Sequence, residues 1–192
     1  MTNVFIISAP SGSGKSTLVE KLRRQIPNLE FSISYTTRTP RGAEKNGREY
    51  FFVSHEQFRE MIRKNEFLEY ARVFEVEYYG TASWFLRKAE EHGNDLLLDI
   101  DVQGAAQVRK QCPDAVAVFM RASDLKTHEE RLRKRGTEDE ASIERRIKAA
   151  AGELAHADEY EHQVINDDLE AAVAWLRAIV SRQFDKGDGN AG

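Results

Sequence analysis

The sequence lacks cysteine pairs, long apolar runs and an excess of either charge. Cys112 is the only cysteine among 192 residues, so no intrachain disulfide can form. The apolar runs, such as residues 115–120, are much shorter than a membrane-spanning helix, which needs about 18 residues. The first residues lead directly into a strand-like segment, without the basic and apolar regions of a secretory signal. These absences argue against a membrane or secreted protein, and we expect a cytoplasmic location.

Neither sign of charge dominates the composition. Lys and Arg total 28 against 32 Asp and Glu, which gives a net charge of −4. This balance argues against general nucleic-acid binding, so any anion site must come from a local cluster. The chain length and a hydrophobic fraction of 41% predict one compact domain over residues 1–192. The sequence does not indicate whether the protein is a monomer or a homo-oligomer.

Short apolar runs alternate with segments of helical periodicity, which is typical of a parallel sheet with crossover helices. Strands are expected at 4–7, 31–34, 96–100, 115–120 and 163–165, and helices at 16–25, 102–111, 125–135, 143–157 and 169–184. The segment 36–83 departs from this alternation. It contains a helix opened by a capping box, Ser54 with Gln57, and strand-like runs on either side. We therefore predict an α+β insertion at 36–83 in an α/β core of residues 1–35 and 84–184, followed by a flexible tail at 185–192.

The segment after the first strand has the pattern of a P-loop, a phosphate-binding turn between a strand and a helix. Its glycines allow the backbone N–H groups to point at phosphate oxygens, and the following helix adds positive partial charge. Lys15 would reach the β and γ phosphates, and Ser16 would offer a hydroxyl to Mg²⁺. A Gly/Ser turn with a solvated lysine is the alternative. The predicted ATP-binding segment is Ala9, Pro10, Ser11, Gly12, Ser13, Gly14, Lys15, Ser16 and Thr17.

Two further features favour phosphate chemistry. Asp99 ends an apolar strand, where a carboxylate can hold Mg²⁺ directly or through water, although such a residue is often only a helix cap. Arg131 and Arg135 lie four residues apart, on one face of a helix whose strong apolar anchors are Leu125 and Leu132. This helix could be a solvated charged surface, but its weak anchoring favours a mobile lid at about 124–148. The five histidines show no paired metal-ligand spacing and are expected to be surface or packing residues.

Seven short motifs, in this order along the chain, resemble those of the guanylate kinase family. They lie at 34–41, 46–50, 66–70, 78–81, 99–104, 135–137 and 166–168. The resemblance implies a P-loop NTPase core with a parallel sheet flanked by helices, in which the insertion is the GMP-binding subdomain. It also implies Mg²⁺-dependent transfer of the ATP γ-phosphoryl group to GMP, and to dGMP, as part of purine nucleotide metabolism and GMP recycling.

The same resemblance assigns roles to individual residues. Guanine would contact Ser34, Glu69, Thr81 and Asp101, and the GMP phosphate would contact Arg38, Arg41, Tyr50 and Tyr79. The transferring phosphates would be held by Arg131, Arg135 and Arg146, with Asn166 beside adenine. The catalytic set would be Lys15, Arg38, Asp99, Arg135 and Arg146, and the metal would meet Ser16 and Asp99.

The chemistry of the residues agrees with this assignment. Guanine presents N1–H and N2–H₂ donors, and the carboxylate of Glu69 is an acceptor for both, although a glutamate in a half-polar strand is more often exposed. A GMP phosphate is already an anionic nucleophile, so catalysis needs positioning and charge neutralisation rather than a strong base. Two alternatives stay open at this point. One is a non-catalytic guanylate-kinase-like module that binds peptides, which the presence of Lys15 disfavours, and the other is a P-loop kinase for another phosphorylated acceptor.

Overall fold

The computed structural model describes residues 2–73, 76–134 and 140–188. Arg135, predicted as a phosphate ligand, lies outside these residues. The elements in chain order are β1 (Val4–Ser8), α1 (Lys15–Gln25), β2 (Leu29–Phe31), β3 (Tyr35–Thr36), β4 (Phe51–Phe52), α2 (His55–Arg63), β5 (Phe67–Val73), β6 (Glu77–Ala82), α3 (Trp84–His92), β7 (Asp95–Asp99), α4 (Val102–Gln111), β8 (Val116–Arg121), α5 (Leu125–Lys134), α6 (Glu140–Leu154), β9 (His162–Ile165) and α7 (Leu169–Asp188).

The chain forms two compact units, and neither is continuous in sequence. The first unit comprises Met1–Val4 and Leu29–Ala115, and the second comprises Phe5–Asn28 and Val116–Gly192. The first unit extends beyond the predicted insertion at 36–83, and the boundaries of the GMP-binding subdomain stay a prediction. In the part of the chain that the structure describes, no helix is both long enough and apolar enough to cross a membrane.

The first unit contains a parallel strand pair and a four-stranded mixed sheet. Strands β2 and β7 run parallel, in the register Leu29 to Asp95. The mixed sheet has the order β4-β3-β6-β5, in which β5 is an edge strand antiparallel to β6. Helix α2 carries the predicted capping box and buries Phe58, whose ring stacks on that of Phe67 with centroids 4.4 Å apart. An aromatic core therefore supports the strands that carry Glu69 and Thr81.

The second unit contains three parallel strands. Strand β1 pairs with β8, and β8 pairs with β9. All five residues of β1 are buried, which explains why this strand is a continuous apolar run rather than an alternating one. Helix α1 packs against α7, and each buries an apolar stripe at helical spacing. These elements fix both ends of the loop between β1 and α1. The parallel strands and flanking helices in the two units agree with the predicted α/β fold class.

Three expectations about secondary structure need correction. Helix α3 was not predicted, because only Phe85 and Ala89 are buried in it and the apolar periodicity is correspondingly weak. Strand β2 lies at Leu29–Phe31 rather than 31–34. Helix α7 extends to Asp188, beyond the predicted end at 184, because no proline follows residue 184 and a helix can add one backbone hydrogen bond per residue.

Candidate functional site

The loop between β1 and α1 has the backbone geometry that the sequence predicts. Gly12 and Gly14 have φ values of 83° and 87°, in the left-handed region that favours glycine. Gly14 is the N-cap of α1 and makes no side-chain cap, and the helix begins at Lys15. The amino end of α1 therefore carries the positive partial charge of a helix N-terminus, together with the ammonium group of Lys15. This arrangement can bind an anion such as a phosphate chain.

Three residues predicted for the donor site surround this loop. Asn166 is buried, and its Nδ2 donates to the main-chain oxygen of Ser13 at 2.7 Å. Arg131 donates to the same oxygen at 3.2 Å and to the main-chain oxygen of Asn166 at 2.8 Å. The Nε of Arg146 donates to the Oγ of Ser11 at 3.4 Å. The second unit thus brings two arginines to the P-loop, and Asn166 contacts the loop backbone.

The residues predicted for Mg²⁺ offer oxygen ligands. Ser16 lies in the exposed first turn of α1, and Asp99 is the half-buried last residue of β7. Within residues 2–73, 76–134 and 140–188, no group of three or more His, Cys, Asp or Glu could hold a metal ion. A hydroxyl and a carboxylate suit Mg²⁺, which commonly takes its remaining ligands from water and substrate phosphates. Each of these two side chains therefore has the chemistry of a ligand for Mg²⁺ that arrives with a nucleotide.

A buried carboxylate marks the candidate guanine site in the first unit. Glu69 is only 4% exposed, and its Oε1 accepts a hydrogen bond from the main-chain N–H of Thr81 at 2.8 Å. Thr81 lies opposite Glu69 across the β5–β6 ladder. The Oγ1 of Thr81 is also buried, and hydrogen bonding from its side chain lowers the pKa of Glu69. Glu69 and Thr81 thus form a buried polar pair, which suits a polar ligand because a buried carboxylate needs hydrogen-bond donors.

Burial also changes the ionisation of Glu69. Removal from water, with a smaller contribution from the negative charge of Asp101, raises the pKa of Glu69 to about 7, against the opposing hydrogen bonding by Thr81. Asp101 itself caps α4, because its Oδ1 accepts from the main-chain N–H of Gly104 at 2.8 Å. Hydrogen-bond donors from a ligand would favour the charged form of Glu69 and lower this pKa.

Gly104 is a site residue whose role the sequence did not reveal. A Cβ at this position would lie 2.4 Å from the Oε2 of Glu69, closer than any real contact. Only glycine therefore leaves room for the carboxylate in its present position. The sequence contained a signal, since Gly104 ends the predicted motif at 99–104, but the partner lies on a distant strand.

Two glutamines that were not predicted hold the edge strand on both sides of Glu69. Gln107 accepts from the main-chain N–H of Tyr70 at 3.2 Å and donates to its main-chain oxygen at 2.7 Å. Gln111 donates to the main-chain oxygen of Leu68 at 2.6 Å. Their spacing of four residues on α4 was the available signal, because it places both amides on one face of the helix. Together they satisfy part of an open strand edge.

The residues predicted for the GMP phosphate converge on Arg38, which is buried. Its Nε donates to the hydroxyl of Tyr79 at 3.1 Å, and its guanidinium lies over the ring of Tyr50, 5.2 Å from the centroid. Two nitrogens of Arg38 also donate to the two carboxylate oxygens of Glu44, at 2.9 and 3.0 Å. This pairing with Arg38 lowers the pKa of Glu44. Glu44 was not predicted, although its carboxylate occupies the bidentate position that suits a phosphate.

The other predicted acceptor residues lie near this cluster in sequence. Arg41 is exposed, and its main-chain N–H donates to the carboxylate of Glu44 at 2.7 Å. Ser34 is half-buried, and its main-chain oxygen accepts from the N–H of Phe51 at 2.9 Å. Within the first unit, Tyr50 and Tyr79 therefore both contact the guanidinium of Arg38.

Comparison with known proteins agrees with these features. The guanylate kinase family model matches residues 1–183. The chain is 55% identical over 180 residues to a guanylate kinase of Koribacter versatilis, covering 92% of this chain and 77% of the relative. It is 42% identical over 187 residues to one of Caldanaerobacter subterraneus, covering 97% and 90%.

A solved structure is similar over almost the whole chain. The crystal structure of guanylate kinase from Anaplasma phagocytophilum matches with a TM-score of 0.79 and 28% identity, over 95% of this chain and 86% of that one. The sequence match, the structural match and the P-loop geometry agree with one another. The chain therefore belongs to the guanylate kinase family.

Proposed function

We propose that this guanylate kinase, which transfers the γ-phosphoryl group of ATP to GMP, binds the donor around Lys15 and reads the acceptor with Glu69. The observation that supports acceptor recognition most directly is the burial of the Glu69 carboxylate opposite Thr81 on the neighbouring strand. A charged carboxylate accepts hydrogen bonds and donates none, so it matches the N1–H and N2–H₂ donors of guanine. Adenine would instead place the lone pair of its N1 against this carboxylate. Ser34 and Asp101 complete the proposed guanine contacts, with dGMP as a second acceptor.

The phosphate of GMP would bind Arg38, Tyr50 and Tyr79, with Arg41 as an outer cation. The bidentate bond between Arg38 and Glu44 supports this part of the proposal, because it demonstrates that the guanidinium can present two N–H groups to one planar pair of anionic oxygens. The hydroxyls of Tyr50 and Tyr79 would add neutral donors. Binding would hold the phosphate oxygen of GMP as the attacking nucleophile.

The phosphates of ATP would bind the main-chain N–H groups of residues 9–17 and the ammonium of Lys15. The charge that spreads over the transferring group would be neutralised by Arg131, Arg135 and Arg146. Asn166 would support the loop through its hydrogen bond to Ser13. Positioning and charge neutralisation are the expected sources of rate enhancement, because the GMP phosphate is already ionised and needs no strong base. ATP and GMP are the proposed small-molecule partners, with no role for nucleic acid or a membrane.

Mg²⁺ is the proposed cofactor, held by the Ser16 hydroxyl and, directly or through water, by the Asp99 carboxylate. When bound, the ion supplies positive charge to the β and γ phosphates. The single cysteine is compatible with the reducing cytoplasm, which is the proposed location.

An acceptor panel of GMP, AMP, UMP and dTMP, offered with Mg-ATP to the wild type and to Glu69→Gln, tests the proposal. Gln keeps the size of the side chain but places one donor against the guanine donors. We expect Glu69→Gln to lose about 30- to 1000-fold in kcat/KM for GMP, equivalent to about 2–4 kcal/mol, with an unchanged KM for ATP.

The exposed Glu66 lies three residues away, and Glu66→Gln is the matched control, expected to retain full activity. An unchanged kcat/KM for GMP in Glu69→Gln, or a loss confined to ATP, would remove Glu69 from guanine recognition.

A further inference from the structure

A buried histidine on α5 contacts the P-loop backbone. His128 is 1% exposed, and its Nδ1 lies 3.1 Å from the main-chain oxygen of Ser11. Its Nε2 lies 3.1 Å from the main-chain nitrogen of Ala122, which donates to it. The sequence predicted a surface or packing residue here, and it predicted Leu125 as an anchor of α5. Leu125 is instead 39% exposed, and His128 lies inside together with Leu132.

These two contacts determine the protonation state of the ring. The main-chain N–H of Ala122 needs an acceptor, so Nε2 must carry a lone pair. The main-chain oxygen of Ser11 can only accept, so Nδ1 must carry the proton. His128 is therefore neutral and in the Nδ1–H tautomer. An imidazolium would place an N–H at Nε2 directly against the N–H of Ala122.

The surroundings of His128 favour the neutral form. Burial lowers the pKa of His128 from 6.5, and the positive charges of Arg131 on α5 and Arg121 on β8 lower it further. The hydrogen bond to Ser11 and the negative charge of Asp124 oppose this shift without reversing it.

The backbone of α5 approaches the P-loop closely at the same point. A Cβ on Gly12 would lie 2.6 Å from the main-chain oxygen of His128 and 3.2 Å from the Cγ of Leu132. Arg131, one turn further along, donates to the main-chain oxygen of Ser13. The loop segment 11–13 is thus held against one face of α5, and the imidazole supplies the hydrogen bond at Ser11.

We infer that His128 is a positioning residue of the donor site, whose neutral imidazole fixes the main-chain oxygen of Ser11 and thereby the orientation of the P-loop N–H groups. The side chain does not touch the nucleotide in this account. Its loss weakens binding of MgATP and leaves binding of GMP unchanged. The inference rests on the proposed donor site around Lys15.

Kinetics of a matched pair of variants test the inference. Leu and Asn have nearly the same branched shape, but only Asn can donate to the Ser11 oxygen from a position close to that of Nδ1. We expect His128→Leu to raise the KM for MgATP about tenfold with the KM for GMP changed by less than about twofold. His128→Asn should return the KM for MgATP to within about threefold of the wild type.

Two control variants separate this effect from general damage. Lys126→Ala lies on an exposed part of α5, and His156→Asn removes an exposed histidine that pairs only with Glu159 in the described contacts. Both should retain the wild-type KM for MgATP. Equal KM values for MgATP in the wild type and in a folded His128→Leu would overturn the inference, as would equal losses in His128→Leu and His128→Asn.

The pH profile provides a readout that a packing role would not change. The ratio of the KM for MgATP in the wild type to that in His128→Asn should rise as the pH falls below 6.5, because only the wild type loses its acceptor for Ala122. The titration of MgATP itself cancels in this ratio. A ratio that already rises above pH 6.5 would contradict the inference, because the pKa of His128 is lowered from 6.5.

A measurement on the wild type covers the case in which His128→Leu does not fold. In ¹⁵N-edited spectra at pH 7.5, Nδ1 of His128 should have the shift of a protonated ring nitrogen and Nε2 that of an unprotonated one. The reverse tautomer, or an imidazolium, would overturn the inference.

Lys15→Ala, measured in parallel, distinguishes a failure of the proposed donor site from a failure of the role of His128. Full activity in Lys15→Ala would remove the donor site itself, whereas a severe loss there with no effect of His128→Leu would remove only the role of His128.

Discussion

In the first unit, Arg38 of the proposed GMP site is paired with a side-chain carboxylate, whereas in the second unit Arg131 of the proposed ATP site binds main-chain oxygens. Arg38 is paired with the carboxylate of Glu44, and Glu69 lies beside Asp101. Arg131, in contrast, donates to the oxygens of Ser13 and Asn166. Ion pairs fix a side chain through another side chain, while bonds to main-chain oxygens fix the loop itself. The cation of the proposed acceptor site is thus held by side-chain charge, whereas the proposed donor site also depends on contacts with the backbone of its loop.

The largest expected effect concerns Lys15, whose ammonium group lies at the amino end of α1 in the proposed donor site. Lys15→Ala removes the ammonium group proposed to face the transferring phosphate, so kcat should fall by about 10³-fold or more, with little change in melting temperature because the loop packing is retained. Steady-state kinetics and thermal unfolding measure the two quantities. The exposed Lys110→Ala is the control. A turnover near that of the wild type would contradict the assignment of the phosphate cradle.

Gly104→Ala tests the space around Glu69 without changing any charge. The added Cβ would meet the Oε2 of Glu69 at 2.4 Å, so the carboxylate must move. A displacement near 1 Å costs about 10- to 100-fold, which we expect in kcat/KM for GMP and not in KM for ATP. Gly152→Ala, where a Cβ meets nothing within 4 Å, should have no such effect. If both substitutions left GMP kinetics unchanged, Glu69 would not need its present position.

The pKa of Glu69 gives the acceptor site a pH dependence of defined sign. Its value of about 7, against an ordinary 4.5, means that the carboxylate loses its charge as the pH falls through 7. The KM for GMP should therefore rise about tenfold between pH 8 and pH 6 in the wild type, relative to Glu69→Gln. The comparison with Glu69→Gln cancels the titration of GMP.

The same shift acts on the stability of the enzyme without ligand, with the opposite sign. Because the folded state holds the proton more tightly than the unfolded state, the contribution of Glu69 is fully present below pH 4.5 and is lost as the pH rises through 7. The free energy of unfolding of the wild type, measured against that of Glu69→Gln, should fall over this window. If the difference in the free energy of unfolding between the two proteins did not change with pH, the pKa of Glu69 would not be raised in the folded state.

The smallest effect is expected on α4. Gln107→Ala removes two hydrogen bonds to the main chain of Tyr70, on the exposed edge of β5. Water can replace them, so kcat/KM for GMP should fall by only about two- to fivefold. Gln103→Ala, on an exposed position of the same helix, is the control. A loss as large as that of Gly104→Ala would mean that the edge strand, and not the space beside Glu69, limits the position of the carboxylate.

The sequence predicted local features well because their signals are local. The P-loop lies between its strand and helix, and the capping box of Ser54 is present. The pairing of Arg38 with Glu44, the space at Gly104 and the buried position of His128 were not predicted. Glu44 lies in a polar loop, where the sequence alone predicts a solvent-exposed glutamate. Gly104 and His128 contact Glu69 and Ser11, which are distant in sequence, so no spacing rule indicates them.

The ion pair of Arg38 and Glu44 defines the reference state for phosphate binding. A phosphate that reaches this guanidinium meets an anion that is already present, so its affinity reports a difference between two anions rather than the full attraction of a free cation. Glu44 stays in the chain when a phosphate takes its place, so the phosphate adds its own negative charge to this neighbourhood. Salt would screen the repulsion between the phosphate and Glu44 as well as the attraction to Arg38, and these two effects oppose each other. Selectivity for phosphate at this proposed site would then depend on geometry and valence, and binding would respond to ionic strength less than binding to a cation without an ion pair.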